Sequence, residues 1–127
     1  MANFMKPYSA QTYGLMRIIV GALFLCHGLT KLFQFPTAPP PAAPAFVIYG
    51  AGSLELVCGT LVAIGLFTRW AAFIASGLMA VAYWLAHGTK SLFPMVNQGE
   101  LAVLYCFVFL FIAAHGPGIW SVDATRR

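Results

Sequence analysis

Five ionisable side chains stand inside or at the edges of long apolar runs in a chain that is only 8% charged: His27, Lys31, Glu55, His87 and Glu100. In an apolar setting these types do three kinds of work. A carboxylate and an ammonium form a buried ion pair, an imidazole exchanges protons near neutral pH, and either kind of donor can hold a carbonyl oxygen. Glu55 is the most informative of the five. It lies near the middle of the apolar stretch from Phe46 to Leu66, and an acid at that depth costs roughly 2.5–3.5 kcal/mol on insertion scales, so it should face a bundle interior and find a partner. With each run's midpoint taken as the bilayer centre, Lys31 falls roughly 10 Å and His27 roughly 5 Å towards one side, the side on which His87 and Glu100 also fall. Different helices thus supply opposite charges to the same half of the membrane. Lys31 can pair with Glu55, pair with Glu100, or snorkel to the interface, and the sequence leaves these open.

The elements that position these groups follow from hydropathy. The chain has 127 residues and is 61% hydrophobic, whereas soluble domains carry about 25% charged residues. Apolar runs at about 13–34, 46–66, 70–88 and 98–115 each approach the ~20 residues that span a bilayer as helix. The fold expected is all-α, an integral membrane antiparallel four-helix bundle forming a single domain over 1–127. The proline-rich connection from Pro36 to Pro44 should be an extended strap. Thr68-Arg69 leaves helices two and three as a tight hairpin, and 89–97 reads as an amphipathic connection. The N-terminal residues lack the apolar core of a cleavable signal peptide, so they are expected to remain.

The net charge of +4 comes from scattered basic residues, which speaks against nucleic acid as a partner and for a topological role. Lys6, Arg17, Arg69, Arg126 and Arg127 fall with the termini and the short turn, against Lys31 and Lys90 on the other side. The positive-inside rule then puts both termini in the cytoplasm. Trp70, Trp120 and Trp84 suit interfacial belts. Cys26, Cys58 and Cys106 form no Cys-x-x-Cys pair and read as small core residues.

Helical spacing places Arg17, Gly21, Phe24, Gly28 and Lys31 on one face of helix one, and Gly52, Glu55, Gly59 and Val62 on one face of helix two. Arg17, Gly21, Gly28 and Gly59 are read as structural, through ion pairing or close helix packing. On helix three the same spacing picks out Phe73, Gly77, Ala80, Trp84 and His87.

These residues carry a family resemblance. The chain resembles the DoxX family of small four-helix membrane proteins through Arg17-Ile18-Ile19-Val20-Gly21 and His27-Gly28-Leu29-Thr30-Lys31-Leu32, then Glu55, Gly59 and Gly65-Leu66-Phe67-Thr68-Arg69. It continues in Trp70-Ala71-Ala72, Met79-Ala80, Gly99-Glu100 and Gly116-Pro117-Gly118-Ile119-Trp120-Ser121-Val122-Asp123. The resemblance implies a bacterial inner-membrane protein linked to quinone-dependent redox systems. The family is named for a subunit of a thiosulfate to quinone oxidoreductase, and other members are linked to membrane oxidoreductase complexes or to oxidative-stress resistance.

The functional expectation is a quinone-associated or accessory subunit of a membrane redox complex, with His27, Lys31, Glu55, Trp84, His87 and Glu100 as the candidate polar cluster. Lys31 or His27 would donate to a quinone carbonyl, Glu55 would hold the donor or relay protons, and Phe24, Trp84 and Phe107 would line the pocket. No intrinsic cofactor and no metal site is expected; other membrane subunits or further copies of the chain are the expected protein partners. The alternative is a non-enzymatic assembly subunit whose ion pairs only fix helix register. A haem between His27 and His87 fits less well, since their depths differ by roughly 7 Å. A small-anion transporter rests on the buried cations alone.

Overall fold

The computed structural model describes residues 2–126, so Arg127, counted in the charge tally above, lies outside the described residues. Four long helices form an antiparallel bundle: α1 (Ser9–Phe33), α2 (Gly52–Ile64), α3 (Thr68–Tyr83) and, after the short α4 (Pro94–Asn97), α5 (Glu100–His115). A last short helix, α6 (Val122–Thr125), follows. α2 is entered through a π-helical segment, Phe46–Ala51, and α3 runs out through another, Trp84–Gly88. With those extensions, three helices are long and apolar enough to cross a membrane, and α5 is a shorter apolar helix. No strand occurs among the described residues.

The helix ends differ from the sequence reading for local reasons. α1 begins at Ser9, four residues before the expected start, as a one-turn 3-10 helix with Pro7 in its first turn leads into it. α2 stops at Ile64 because Gly65 takes the left-handed conformation (φ 75°) and returns its amide to Leu61 and Val62. α3 starts at Thr68 rather than 70, because its first amides are capped from the far end of the chain: the Asp123 carboxylate accepts from the Phe67 amide at 3.0 Å and the Thr68 amide at 2.9 Å.

The closest helix contacts are built from small residues, while many of the large ones face outwards. α1 and α2 meet backbone to backbone: a Cβ on Gly21 would lie 2.5 Å from the Ala63 nitrogen, one on Gly59 2.5 Å from the Leu25 nitrogen, and one on Gly28 2.6 Å from the Leu56 nitrogen. α3 buries Ala71, Ala72, Ala75, Ser76 and Met79 against α5, where the Ser76 hydroxyl donates to the Cys106 carbonyl at 2.7 Å. The helix-three face expected from spacing is therefore corrected: Phe73, Gly77 and Trp84 point away from the bundle. In lipid there is no hydrophobic gradient to draw bulky side chains inwards, so close approach of small residues decides which face packs. Cys26 is likewise exposed, and only Cys58 is fully buried.

Arg17 is fully buried, at 0% exposure, and holds the terminus-bearing end of the bundle together. Its two terminal nitrogens donate to the carbonyls of Val62 (2.7 Å), Ala63 (2.8 Å), Ile119 (3.1 Å) and Trp120 (2.7 Å). Four of its five N–H groups are thereby satisfied, and the buried Nε has no partner among the described residues. The expected ion pair is replaced by carbonyls, two of them at the C-terminus of α2, where the helix dipole supplies the negative end. Arg69 repeats the device on the other hairpin, donating to the carbonyls of Ala113, Ala114 and His115 at the end of α5. The segment between α5 and α6 is further tied down by the Tyr13 hydroxyl, which donates to the Gly116 carbonyl.

Candidate functional site

Lys31 reaches across the tight α1–α2 seam to Glu55. Its ammonium donates to both carboxylate oxygens, at 2.7 and 3.0 Å, and this is the one salt bridge among the described residues. The geometry follows from local sequence. Gly52, three residues before Glu55 on the same face, leaves room for Lys31, whose Cβ would touch any Cβ placed there at 3.0 Å. Glu55 is 4% exposed, so its charge persists through this pairing. Glu100 takes no part. It sits exposed in the first turn of α5, where a carboxylate suits the helix dipole.

On the other side of α1 lies a different kind of seam. α1 and α5 meet through rings rather than backbones: Phe24 packs on Tyr105 and Phe109 with centroids 5.3 and 4.7 Å apart, and His27 sets its ring edge against Tyr105 at 5.8 Å. These rings hold the helices far enough apart to leave a cavity of about 210 Å³, lined by Phe24, His27, Glu55, Met79, Ala82, His87, Gln98, Leu101, Ala102 and Tyr105. His27, Glu55 and His87, from three elements, are thus brought to one space. Lys31 touches it only through Glu55.

His87 is carried on the π-helical turn after α3 and is fixed by the chain that follows. Its Nδ1–H donates to the Asn97 carbonyl at 3.0 Å, since a carbonyl can only accept. Nε2 remains the free ring nitrogen. Asn97 is itself buried and fully engaged, donating from Nδ2 to the Tyr83 hydroxyl and the Ser91 carbonyl and accepting the Gly99 amide on Oδ1. By contrast, the His27 ring nitrogens and the Tyr105 hydroxyl have no hydrogen-bond partner among the described residues, although Tyr105 is buried. Two polar groups without partners thus line the same cavity.

Trp84 and Phe107 do not line this cavity. They are 63% and 64% exposed and flank a separate apolar cleft between α3 and α5 with Tyr83 and Cys106. Sequence reasoning missed Tyr105, Asn97 and Gln98. Asn97 fell in a presumed connection and Gln98 at the first position of the expected fourth helix, and their adjacency to Gly99 in an apolar neighbourhood was the available signal. Tyr105 was hidden in an α5 that is hydrophobic all round, so periodicity gave no face.

The DoxX family model matches residues 14–88. A Haemophilus influenzae protein of uncharacterised function is 39% identical over 127 residues, covering 95% of each chain. An uncharacterised membrane protein of Mycobacterium tuberculosis is 29% identical over 126 residues, covering 85% of this chain and 77% of its own. The Bacillus subtilis protein CatD, whose name proposes an oxidoreductase, is 30% identical over 116 residues, covering 86% and 82%. No solved structure matches the chain. The arginine, glycines, Lys31 and Glu55 that organise α1 and α2 all fall within the matched span, and the chain belongs to the DoxX family of membrane proteins.

Proposed function

We propose that the protein is a four-pass component of a bacterial inner-membrane redox system, with both termini cytoplasmic, whose α1–α5 cavity binds the headgroup of a lipid-soluble quinone. The observation that carries this reading is the pair of unpartnered polar groups, His27 and Tyr105, beside Glu55 and His87 in a cavity whose rim residues His27 and Leu101 are exposed. At about 210 Å³ the cavity is smaller than the ~300–1,000 Å³ of sites that enclose a drug-sized ligand. It suits a single ring, with an isoprenoid tail left in the surrounding lipid.

The residues fit the chemistry. A bound quinone supplies a reversible couple of two electrons and two protons. Tyr105 would donate a hydrogen bond to one carbonyl oxygen and His27 to the other, while the Nε2 of His87, an acceptor because its Nδ1 carries the hydrogen, would accept from a quinol hydroxyl. The His27 and His87 rings line the same space, where they would hand over the protons that accompany reduction. Glu55 holds a fixed negative charge beside them, kept in place by Lys31. Electrons come from a partner redox protein, in agreement with the relative whose name proposes an oxidoreductase.

The test is titration of the purified protein with a short-chain benzoquinone. Tyr105→Phe removes only a hydroxyl that bonds nothing in the protein, so it should leave thermal stability intact and weaken binding about tenfold, the worth of one hydrogen bond lost from a buried site. Unchanged affinity rejects the headgroup assignment. A second reading, an assembly subunit without a ligand, is favoured by the Lys31–Glu55 pair being closed on itself. On that reading Glu55→Gln lowers stability and no quinone binds.

A further inference from the structure

The α1–α5 seam ends, on the face that carries the termini, in a groove the quinone reading does not use. α1 has 25 residues, about 37 Å of helix, whereas the 16 residues of α5 make about 24 Å. α1 is therefore longer than the ~30 Å hydrocarbon layer. Tyr13 of α1 lies against His115, the last residue of α5, with ring centroids 4.0 Å apart, so the turn from Ser9 to Thr12 and the 3-10 turn before it extend past the end of α5. These residues stand at headgroup depth.

The groove left beside them measures about 510 Å³. Its walls are apolar, from Met5, Met16 and Phe111, and its polar groups are Lys6, Ser9 and the His115 ring. None of these three side chains has a hydrogen-bond or ion-pair partner among the described residues, and no carboxylate lines the groove. Asp123, the acid at this end of the bundle, is taken up by Thr68 and Phe67.

We propose that this groove binds an anionic phospholipid. Lys6 meets the phosphate with the Ser9 hydroxyl and the His115 imidazole as further donors, and one acyl chain lies along Met5, Met16 and Phe111. Charge complementarity selects the lipid class. A cation with no acid beside it favours a headgroup of net negative charge, and a zwitterionic headgroup would bring its own ammonium to Lys6. The bound lipid would fill the gap where α1 outruns α5.

Delipidated protein in mild detergent is titrated with phosphatidylglycerol and with phosphatidylcholine of the same acyl chains, and bound lipid is read by native mass spectrometry. Phosphatidylglycerol should bind in preference. Lys6→Gln should lower its affinity about fivefold, the worth of one basic residue near an anionic lipid, and leave phosphatidylcholine unchanged; Lys90→Gln, at the other end of the bundle, should have no effect. Equal binding of the two lipids, unchanged phosphatidylglycerol affinity in Lys6→Gln, or glycerol phosphate without acyl chains matching the whole lipid would each overturn the proposal.

Discussion

The two seams that α1 makes are opposites. Against α2 it presents Gly21 and Gly28, meets Gly59 and the Ala63 backbone, and closes with an ion pair between Lys31 and Glu55. Against α5 it presents Tyr13, Phe24 and His27, which meet rings, and the spaces between those rings are cavities. The first seam has no room, and its polar groups are paired except for the Arg17 Nε. The second has room and unsatisfied polar groups. The contrast teaches that one helix can pack as a closed wall on one face and as one side of an open, cavity-bearing seam on the other, the difference being set by whether glycine or an aromatic residue stands at the contact.

The comparison is broken most severely by adding volume to the tight seam. Gly21→Leu places atoms inside the α2 backbone and should cost at least the ~1–3 kcal/mol typical of overpacking; loss of the monodisperse folded peak in size-exclusion chromatography is the readout. The matching insertion on the open seam, Ala102→Leu, fills cavity space and should leave the folded peak in place while abolishing quinone binding. Next in size is Arg17→Met, which strips four carbonyls of their charged donor. With ~1.5–3 kcal/mol for a hydrogen bond to a charged group, and loss shared among four bonds, a drop of about 3 kcal/mol is expected. Exposed Arg69→Met should cost less. Limited proteolysis at residues 116–126 reads both, since Arg17 ties that segment to the bundle.

Much of the tight seam was legible in the sequence, because glycine at steps of three and four is a signal that survives in an apolar helix. The buried faces of α1 and α2 came from that spacing alone. The open seam was not legible. α5 is apolar on every side, so nothing in its pattern distinguishes Tyr105 and Phe109, which are buried, from Phe107, which faces out. α3 misled for the same reason. Trp84 was expected to line the pocket, and it lies on the exposed face with Phe73, whereas His87 of the same stripe does line the cavity. Arg69 was counted as a topological charge and Arg17 also as a structural residue that would pair or pack, whereas their partners are carbonyls at helix ends and in the segment before α6 that no residue pattern announces.

Two smaller effects sharpen the account. Asn97→Ala releases the chain that fixes His87 and should cost about 1–2 kcal/mol through the unpaired groups it leaves. Its sharper signature is weaker quinone binding, because the ring then loses the Nδ1 partner that orients it. The smallest effect belongs to Asp123. Burial alone would push its carboxyl up, but hydrogen bonds from the Thr68 amide and hydroxyl and the Phe67 amide outweigh this and hold it below the usual range. A depressed folded value means the cap is fully present at neutral pH and is lost as pH falls through and below about 4, where aspartate ordinarily titrates. Trp120 fluorescence should report that loosening, and Asp123→Asn should remove the pH dependence.

The central claim, that the unsatisfied polar groups of the α1–α5 seam are a quinone site, is tested most directly by gentle extraction from native membranes followed by mass spectrometry of retained lipids. Wild-type protein should carry quinone in stoichiometric amount, and Ala102→Leu, equally folded, should carry none. Quinone absent from the wild type, or retained equally by both, contradicts the account.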